Sequence, residues 1–485
     1  MRKNQGKTRS EQYLTYLSEK TFLSLWSYPN PSIRKGRKCL ELCDLIVVFD
    51  EHVILFSDKD IEYPNTADEK TAWARWFKKA VWKSAKQLWG AERHIAELGV
   101  DIYIDEKCDE NIPVSLPDKM KIHRIAVARG VSTKIKNVFG GSGTLFLNTE
   151  LKGFDDHITN PFHIGVLDTS KGYIHVFDED TLDLIMKELD TVSDFIQYIE
   201  DKEEFASRKS FFAAGEEELL AFYIYDVNNK GERRFPMEEN VDSVSVTEGM
   251  WDKYVYSTEY QTRDVANRGS YYWDYLIDKF TELILNNDLE PLFDDVDIRD
   301  TEIALRLMAK ENRFQRRSLS QSLQEFLVRS AENYRDARAI FRNKNNPTYL
   351  FVTLEQSNES WTNYRRERRA LLFAYCLALK LRKPKTQTVI GLATEPGLLN
   401  EGRSEDLIFY DMTHWTPEND LQAKHAVERF GLLKTQTEVY YNGTEYSDEV
   451  TETVKTSPKF STKIPRNSQC PCGSGKKYKR CCMRK

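Results

Sequence analysis

The chain lacks any long apolar run. Its longest, Leu371 to Leu379, is about half of what a bilayer span needs, so no segment reads as membrane-crossing. It also lacks a secretory leader: Arg2, Lys3, Lys7 and Arg9 make the N-terminus basic, but no apolar stretch follows. Cysteine is sparse, with 8 in 485 residues. Four of them (Cys39, Cys43, Cys108 and Cys376) are scattered through apolar or charged contexts. They read as buried thiols and not bridges, which suits a reducing cytoplasm. No internal repeat is evident. The Ser, His and Asp residues form no nucleophile motif. The glycine-rich run GGSGT, within Phe139 to Asn148, has no following lysine of the kind a phosphate-binding loop requires. It reads as a hairpin turn, with an anion-binding nest as the alternative.

What is present fits an ordinary folded protein of two or three domains. The 24 tyrosines and 25 phenylalanines exclude a disordered chain. Net charge is -6 but unevenly placed. The N-terminal arm is basic, and Arg34, Lys35, Arg37 and Lys38 add a second cluster. The tail from Lys455 onward holds ten Lys and Arg and no acid, while acids concentrate between Asp178 and Glu218. Basic ends suit contact with polyanions, and plain solvation of charged faces is the alternative.

Tyr13, Leu14, Leu17, Phe22 and Leu25 recur near helical spacing, which predicts a helix from Glu11 to Trp26 that Pro29 and Pro31 end. Asp44 to Phe49 and Val53 to Phe56 are rich in branched and aromatic residues, with Asp50, Glu51 and His52 between them. This predicts a β-hairpin. With the turn centred on Glu51, Asp44 lies opposite Asp58 and both carboxylates share one face. Lys59 follows at once. A long helix is expected over Thr71 to Leu98. Its buried stripe is Trp73, Trp76, Phe77, Ala80, Ser84, Leu88, Ala91, Ile95 and Leu98. Arg75, Lys79, Lys83 and Lys86 fall on another face, with Gln87 beside them.

Further strands are expected at Val100 to Ile104, Ile122 to Ala128 and Tyr173 to Phe177, and a helix at Thr181 to Glu200. His163 and His175 have no partner spacing that implies a metal and read as structural. An acidic shift over Glu200 to Glu218 marks a boundary, giving a first α/β domain over 1–205 and a second, larger one over 206–446. In the second, strands at Tyr349 to Leu354, Val389 to Ala393 and Leu407 to Asp411 alternate with helices at Trp361 to Leu381 and Asp420 to Arg429. Thr301 to Glu332 reads as a helix or helix pair. It carries Arg306, Arg313, Arg316 and Arg317, and the run Tyr364 to Arg369 carries a second arginine cluster. Those arginines suit either phosphate or ion pairs along the helix surface. Residues 447–463 read as a flexible linker.

The order helix, hairpin, helix, strand is that of an α/β core. Over Glu11 to Ala128 it resembles the restriction-endonuclease-like PD-(D/E)XK nucleases, especially the NERD and Mrr-like branches. That resemblance implies catalytic roles for Asp44 as the strand aspartate, Lys59 as the lysine and Gln87 as the helix glutamine. The acid two before the lysine is replaced by Ser57, so either Asp58 takes over the role or the site is degenerate. A magnesium or manganese ion on the carboxylates would activate water against a phosphodiester.

The last segment, 464–485, holds Cys470, Cys472, Cys481 and Cys482. Four thiolates at this spacing can enclose one tetrahedral zinc with no open position, with a disulfide pair or free thiols as the alternative. Gly473, Ser474 and Gly475 let the chain turn back between the pairs. So short a segment buries no core, and the metal would supply its folding energy. It resembles the SEC-C motif, the SecA-type zinc-binding tail of bacterial preprotein translocase, which implies a structural zinc knuckle used for docking. The expected whole is α/β: a restriction-endonuclease-like core, a larger α/β domain and a C-terminal zinc knuckle, in the cytoplasm. Two functions compete. One is a metal-dependent nuclease that binds nucleic acid. The other is a non-catalytic adaptor whose knuckle docks onto a ribosome, chaperone or translocase.

Overall fold

The computed structural model describes residues 4–96, 99–225, 233–237, 240–286, 298–341, 346–356, 360–397 and 403–432, with short pieces at 438–440 and 453–455 and Arg480. The chain is mixed α/β with several sheets. Helix α1 (Arg9–Phe22) starts where the Thr8 hydroxyl accepts from the Glu11 N–H. It stops before the expected Trp26, because Leu23 turns to φ 64°. Leu25 and Trp26 are buried beyond its end. Strands β1 (Ser27–Pro29), β2 (Ser32–Lys35), β3 (Lys38–Glu41), β4 (Leu45–Phe49) and β5 (His52–Asp60) follow.

Helices α2 (Glu69–Phe77) and α3 (Lys83–Ala96) are joined by a π turn over Lys78–Trp82. The expected stripe from Trp73 to Ile95 is buried along its whole length, and Leu98 lies outside the described residues. Next come β6 (Ile102–Tyr103), β7 (Lys121–Arg129), α4 (Ser132–Phe139), β8 (Phe146–Lys152), α5 (Gly153–Thr159), β9 (His163–Val166) and β10 (Ile174–Phe177). The central sheet has the order β1-β4-β5-β7-β10, antiparallel from β1 to β5 and parallel from β5 to β10. The GGSGT run connects α4 to β8, a helix-to-strand link and not a hairpin turn. Cys39 on β3 is disulfide-bonded to Cys108, which corrects the expectation of free thiols there. The antiparallel pairings of β2 with β3 and with β6 bring these distant positions together. Cys43 and Cys376 are free and buried.

The helix expected over Thr181 to Glu200 is two helices, α6 (Glu179–Glu188) and α7 (Val192–Arg208). Thr191 breaks it by capping α7, its hydroxyl accepting from the Asp194 N–H. Helix α7 runs through position 205, and Phe205 stacks on both Phe211 and Phe235 in one continuous core. Strand β11 (Ser210–Ala213), helix α8 (Glu216–Tyr225) and strand β12 (Ser243–Val246) complete a second sheet in the order β12-β11-β8-β9.

The remaining helices of the first core are α9 (Met250–Val255), α10 (Thr258–Asn267), α11 (Tyr271–Leu285), α12 (Ile298–Ala309) and α13 (Arg313–Arg329). Then β13 (Arg335–Ile340), β14 (Thr348–Leu354), α14 (Trp361–Arg382), β15 (Thr388–Thr394), β16 (Asp406–Asp411) and α15 (Pro417–Phe430) form a second unit around the sheet β13-β14-β15-β16. One face of that sheet joins the first core through Tyr349 and Phe351 against Trp273. The other buries Leu350 and Val352 with Leu371, Leu372 and Cys376 of α14. Within the expected linker, the backbone of Thr453–Lys455 pairs antiparallel with Glu438–Tyr440.

The arginine clusters are built into these contacts. Arg313 reaches Asp190 and Asp274 at 2.8 Å each, and Arg316 reaches Asp274 at 2.7 Å. Arg365, Arg368 and Arg369 all bind Asp406, at 2.8, 2.6 and 2.8 Å. These ion pairs run between elements, while Arg306 pairs along its own helix with Glu302 at 2.7 Å. Removing Asp406 takes away the buried carboxylate that three guanidinium groups share. Asp406→Ala is therefore expected to lower stability by about 3–5 kcal/mol. Arg366→Ala, at an exposed position of the same helix, should change it by less than about 0.5 kcal/mol. Urea unfolding of the two variants checks this.

Candidate functional site

The hairpin of β4 and β5 sets the geometry. Phe49 pairs with His52 and Leu45 with Phe56, so the turn is Asp50–Glu51 alone and His52 opens β5. The register is one residue off the expected one. Asp44 lies across from Ser57, not Asp58, and a slip of one residue sends side chains to the opposite face. Asp58 accordingly points away from Asp44. Its carboxylate is gripped by Arg129 on β7, with Nε at 2.9 Å from Oδ1 and the terminal nitrogen at 3.1 Å from Oδ2. The Arg129 guanidinium in turn lies 5.8 Å from the Tyr13 ring of α1. Burial pushes the Asp58 carboxyl above its ordinary range, with Arg129 opposing the shift.

The other face holds the remaining residues. Asp44 Oδ2 accepts from the Asp58 backbone N–H at 2.5 Å and from the Lys59 ammonium at 3.1 Å. Ser57 is fully buried, and its hydroxyl donates to Gln87 Oε1 at 3.1 Å. The structure thus brings Asp44, Ser57, Lys59 and Gln87 to one side of the sheet and leaves Asp58 on the other. Glu41, one short step before Asp44 in sequence, is engaged by Lys7 at 2.5 Å. The face of α2 and α3 that carries Arg75, Lys79, Lys83 and Lys86 is exposed, as its spacing predicts.

Two constellations carry no sequence signal. His52, His123 on β7 and His175 on β10 meet Glu200 and Glu203 of α7. His52 Nδ1 and His123 Nε2 are 3.0 Å apart. Glu203 Oε1 lies 3.0 Å from His123 Nδ1 and 3.1 Å from His175 Nε2. Burial acts to raise the Glu203 carboxyl, but the two imidazole contacts outweigh it and hold it at about 2. His52 and His123 stand 71 positions apart, so no spacing motif links them.

The second constellation is the acid run Glu216, Glu217 and Glu218, which ends the acidic shift and is buried. Glu216 binds Lys202 at 2.6 Å, Glu217 accepts from Thr144, and Glu218 accepts from the Gly249 and Trp251 N–H groups. Glu217 and Glu218, with Glu248 and Asp252, line a cavity of about 370 Å³ beside Gly140–Thr144 that no Lys or Arg lines. A lining of that charge disfavours the anion nest.

Arg129→Ala leaves the Asp58 carboxylate buried without its cation. A loss of about 3–5 kcal/mol is expected. Ser57→Ala, which removes a single neutral hydrogen bond, should cost about 1 kcal/mol. Chemical denaturation distinguishes the two.

Comparison with known proteins places one end of the chain. Residues 466–484 match the SEC-C motif. The protein translocase subunit SecA of Clostridium acetobutylicum is 48% identical over 65 residues, which is 13% of this chain and 7% of that one. SecA of Maridesulfovibrio salexigens is 55% identical over 40 residues, 8% of this chain and 5% of that one. A UPF0225 protein of Geobacter sulfurreducens is 66% identical over 29 residues, 6% of this chain and 18% of that one. The chain therefore spans only a small part of the length of each relative. No solved structure matches it. Among the described residues no helix is long and apolar enough to cross a membrane. Cys470, Cys472, Cys481 and Cys482 lie outside the described residues, and the chain ends in a SEC-C motif.

Proposed function

We propose that this protein is a non-catalytic adaptor, in which the C-terminal SEC-C segment binds zinc and docks onto a ribosome, chaperone or translocase partner. The observation that carries the non-catalytic half is the capture of Asp58 by Arg129. It leaves Asp44 as the lone carboxylate beside Ser57, Lys59 and Gln87, with one oxygen already taken by an ammonium and an amide N–H. Hard divalent ions such as magnesium and manganese prefer several oxygen ligands, carboxylates above all. This donor set fits such an ion poorly.

The tail supports the docking half. Four thiolates from Cys470, Cys472, Cys481 and Cys482 are a donor set suited to tetrahedral zinc. The similar segments belong to proteins named as translocase subunits, which favours a partner in protein handling. The arginine clusters of α13 and α14, one of the two features that suited nucleic acid, are tied to Asp190, Asp274 and Asp406.

One observation favours the nuclease reading. Asp44 and Lys59 are in contact, and an exposed basic helix face lies nearby on α2 and α3. Plasmid, single-stranded DNA and RNA incubated with magnesium or manganese separate the two. The adaptor reading expects wild type and Asp44→Ala to be alike and inactive on all three. Hydrolysis by wild type that Asp44→Ala abolishes would restore the nuclease. In pull-downs from lysate, changing the four tail cysteines to serine should release the partner that wild type and Asp44→Ala both retain. Retention by the serine variant would remove the docking role.

A further inference from the structure

We propose that His52 Nδ1, His123 Nε2 and a Glu200 carboxylate oxygen form a second metal site, for a divalent ion of the zinc class, distinct from the tail cysteines. These three donor atoms lie within 4.8 Å of one another, and they are the sole such group of three among the described residues. The strand register builds the pair. His52 is aligned with Lys121 across the parallel β5–β7 ladder, so His123 stands two residues along on the same face. Two donors bound to one tetrahedral zinc at about 2.0 Å are roughly 3.3 Å apart. The two imidazole nitrogens are separated by 3.0 Å, which needs little adjustment.

A neighbouring carboxylate orients the His123 ring as a metal ligand requires. A ligating histidine usually donates its other N–H to a carboxylate, which fixes the tautomer. Glu203 Oε1 sits 3.0 Å from His123 Nδ1, so that nitrogen carries the proton and Nε2 offers its lone pair to the site. Glu51 Oε1 lies 3.8 Å from His52 Nε2, outside hydrogen-bond distance. His175 Nε2 holds the same Glu203 oxygen at 3.1 Å.

Lys121 is the competitor. Its ammonium lies 2.8 Å from Glu200 and 3.6 Å from Glu51, supplying the positive charge these acids call for. Its side chain is half exposed and can swing into water. A divalent ion would replace it as the counter-charge. Three protein ligands leave a fourth position for water at this solvent-facing edge, as zinc sites of the non-structural kind do.

The test uses the full chain with Cys470, Cys472, Cys481 and Cys482 changed to Ser, so that the tail contributes no metal. It is loaded with zinc, gel-filtered and assayed for metal content, then loaded with cobalt and its visible spectrum recorded. About one zinc per chain is expected, and cobalt should give d–d bands without a thiolate charge-transfer band. Glu203→Gln in the same background should weaken zinc roughly 10–100-fold. Glu200→Gln and His52→Gln should abolish stoichiometric zinc. Glu200 lies at the edge of the cluster, so Glu200→Gln reads out even if His52→Gln does not fold. A serine-substituted chain that binds no zinc would leave an ordinary hydrogen-bonded histidine pair and overturn the proposal, as would Glu200→Gln binding zinc as tightly as its parent.

Discussion

A charge taken out of water must meet its opposite or be lost. That constraint governs where the elements of this protein sit. Lys202 and Glu216, both almost fully buried, join α7 to α8. Arg313 and Arg316 join α13 to α11 and to the loop after α6 through Asp274 and Asp190. Arg368 of α14 is fully buried against Asp406 and Glu395, which flank β16 and β15. Arg129 joins β7 to Asp58 of β5. Such pairs add little net stability over apolar packing, but breaking one is costly. They therefore fix which elements meet more than how tightly.

The same constraint shapes the candidate site. Asp58 has a cation of its own, so its carboxylate is not held in reserve for a metal ion. Asp44 is neutralised by Lys59 and Ser57 is tied to Gln87. Exposed to a partner molecule are the basic face of α2 and α3 and the cluster Arg34, Lys35, Arg37 and Lys38, and the tail sequence is basic as well.

Much of the fold was legible because periodicity reports burial directly. The stripe from Trp73 to Ile95 is buried as its spacing predicts, and it survives the π turn because the apolar residues continue past it. The strands β14, β15 and β16 and the helices α14 and α15 lie where alternation places them. The hairpin was legible too, but its register was not, since a two-residue turn and a three-residue turn fit the same run of Asp50, Glu51 and His52. That single residue decides whether Asp58 faces Asp44.

Partnership across distance left no trace in the sequence. Glu216 to Glu218 read as part of an acidic boundary, because nothing local shows that Lys202, Thr144 and the Gly249 amide wait for them. Cys39 and Cys108, 69 positions apart, meet through the pairing of β2 with β3 and β6. His52, His123 and Glu200 converge only once the parallel ladder and α7 are in place. The tail was the reverse case: its likeness to the SEC-C motif was readable from four cysteines and their spacing with no tertiary context, and residues 466–484 match that motif.

Body and tail thus differ in kind, one with its buried charges paired and the other basic with four cysteines near its tip. Cross-linking of the intact protein to its partners, followed by mass mapping of the linked lysines, tests that division most directly. Links concentrated on Lys476, Lys477 and Lys479 are predicted. Links concentrated instead on Lys79, Lys83 and Lys86 of the helix face would contradict it.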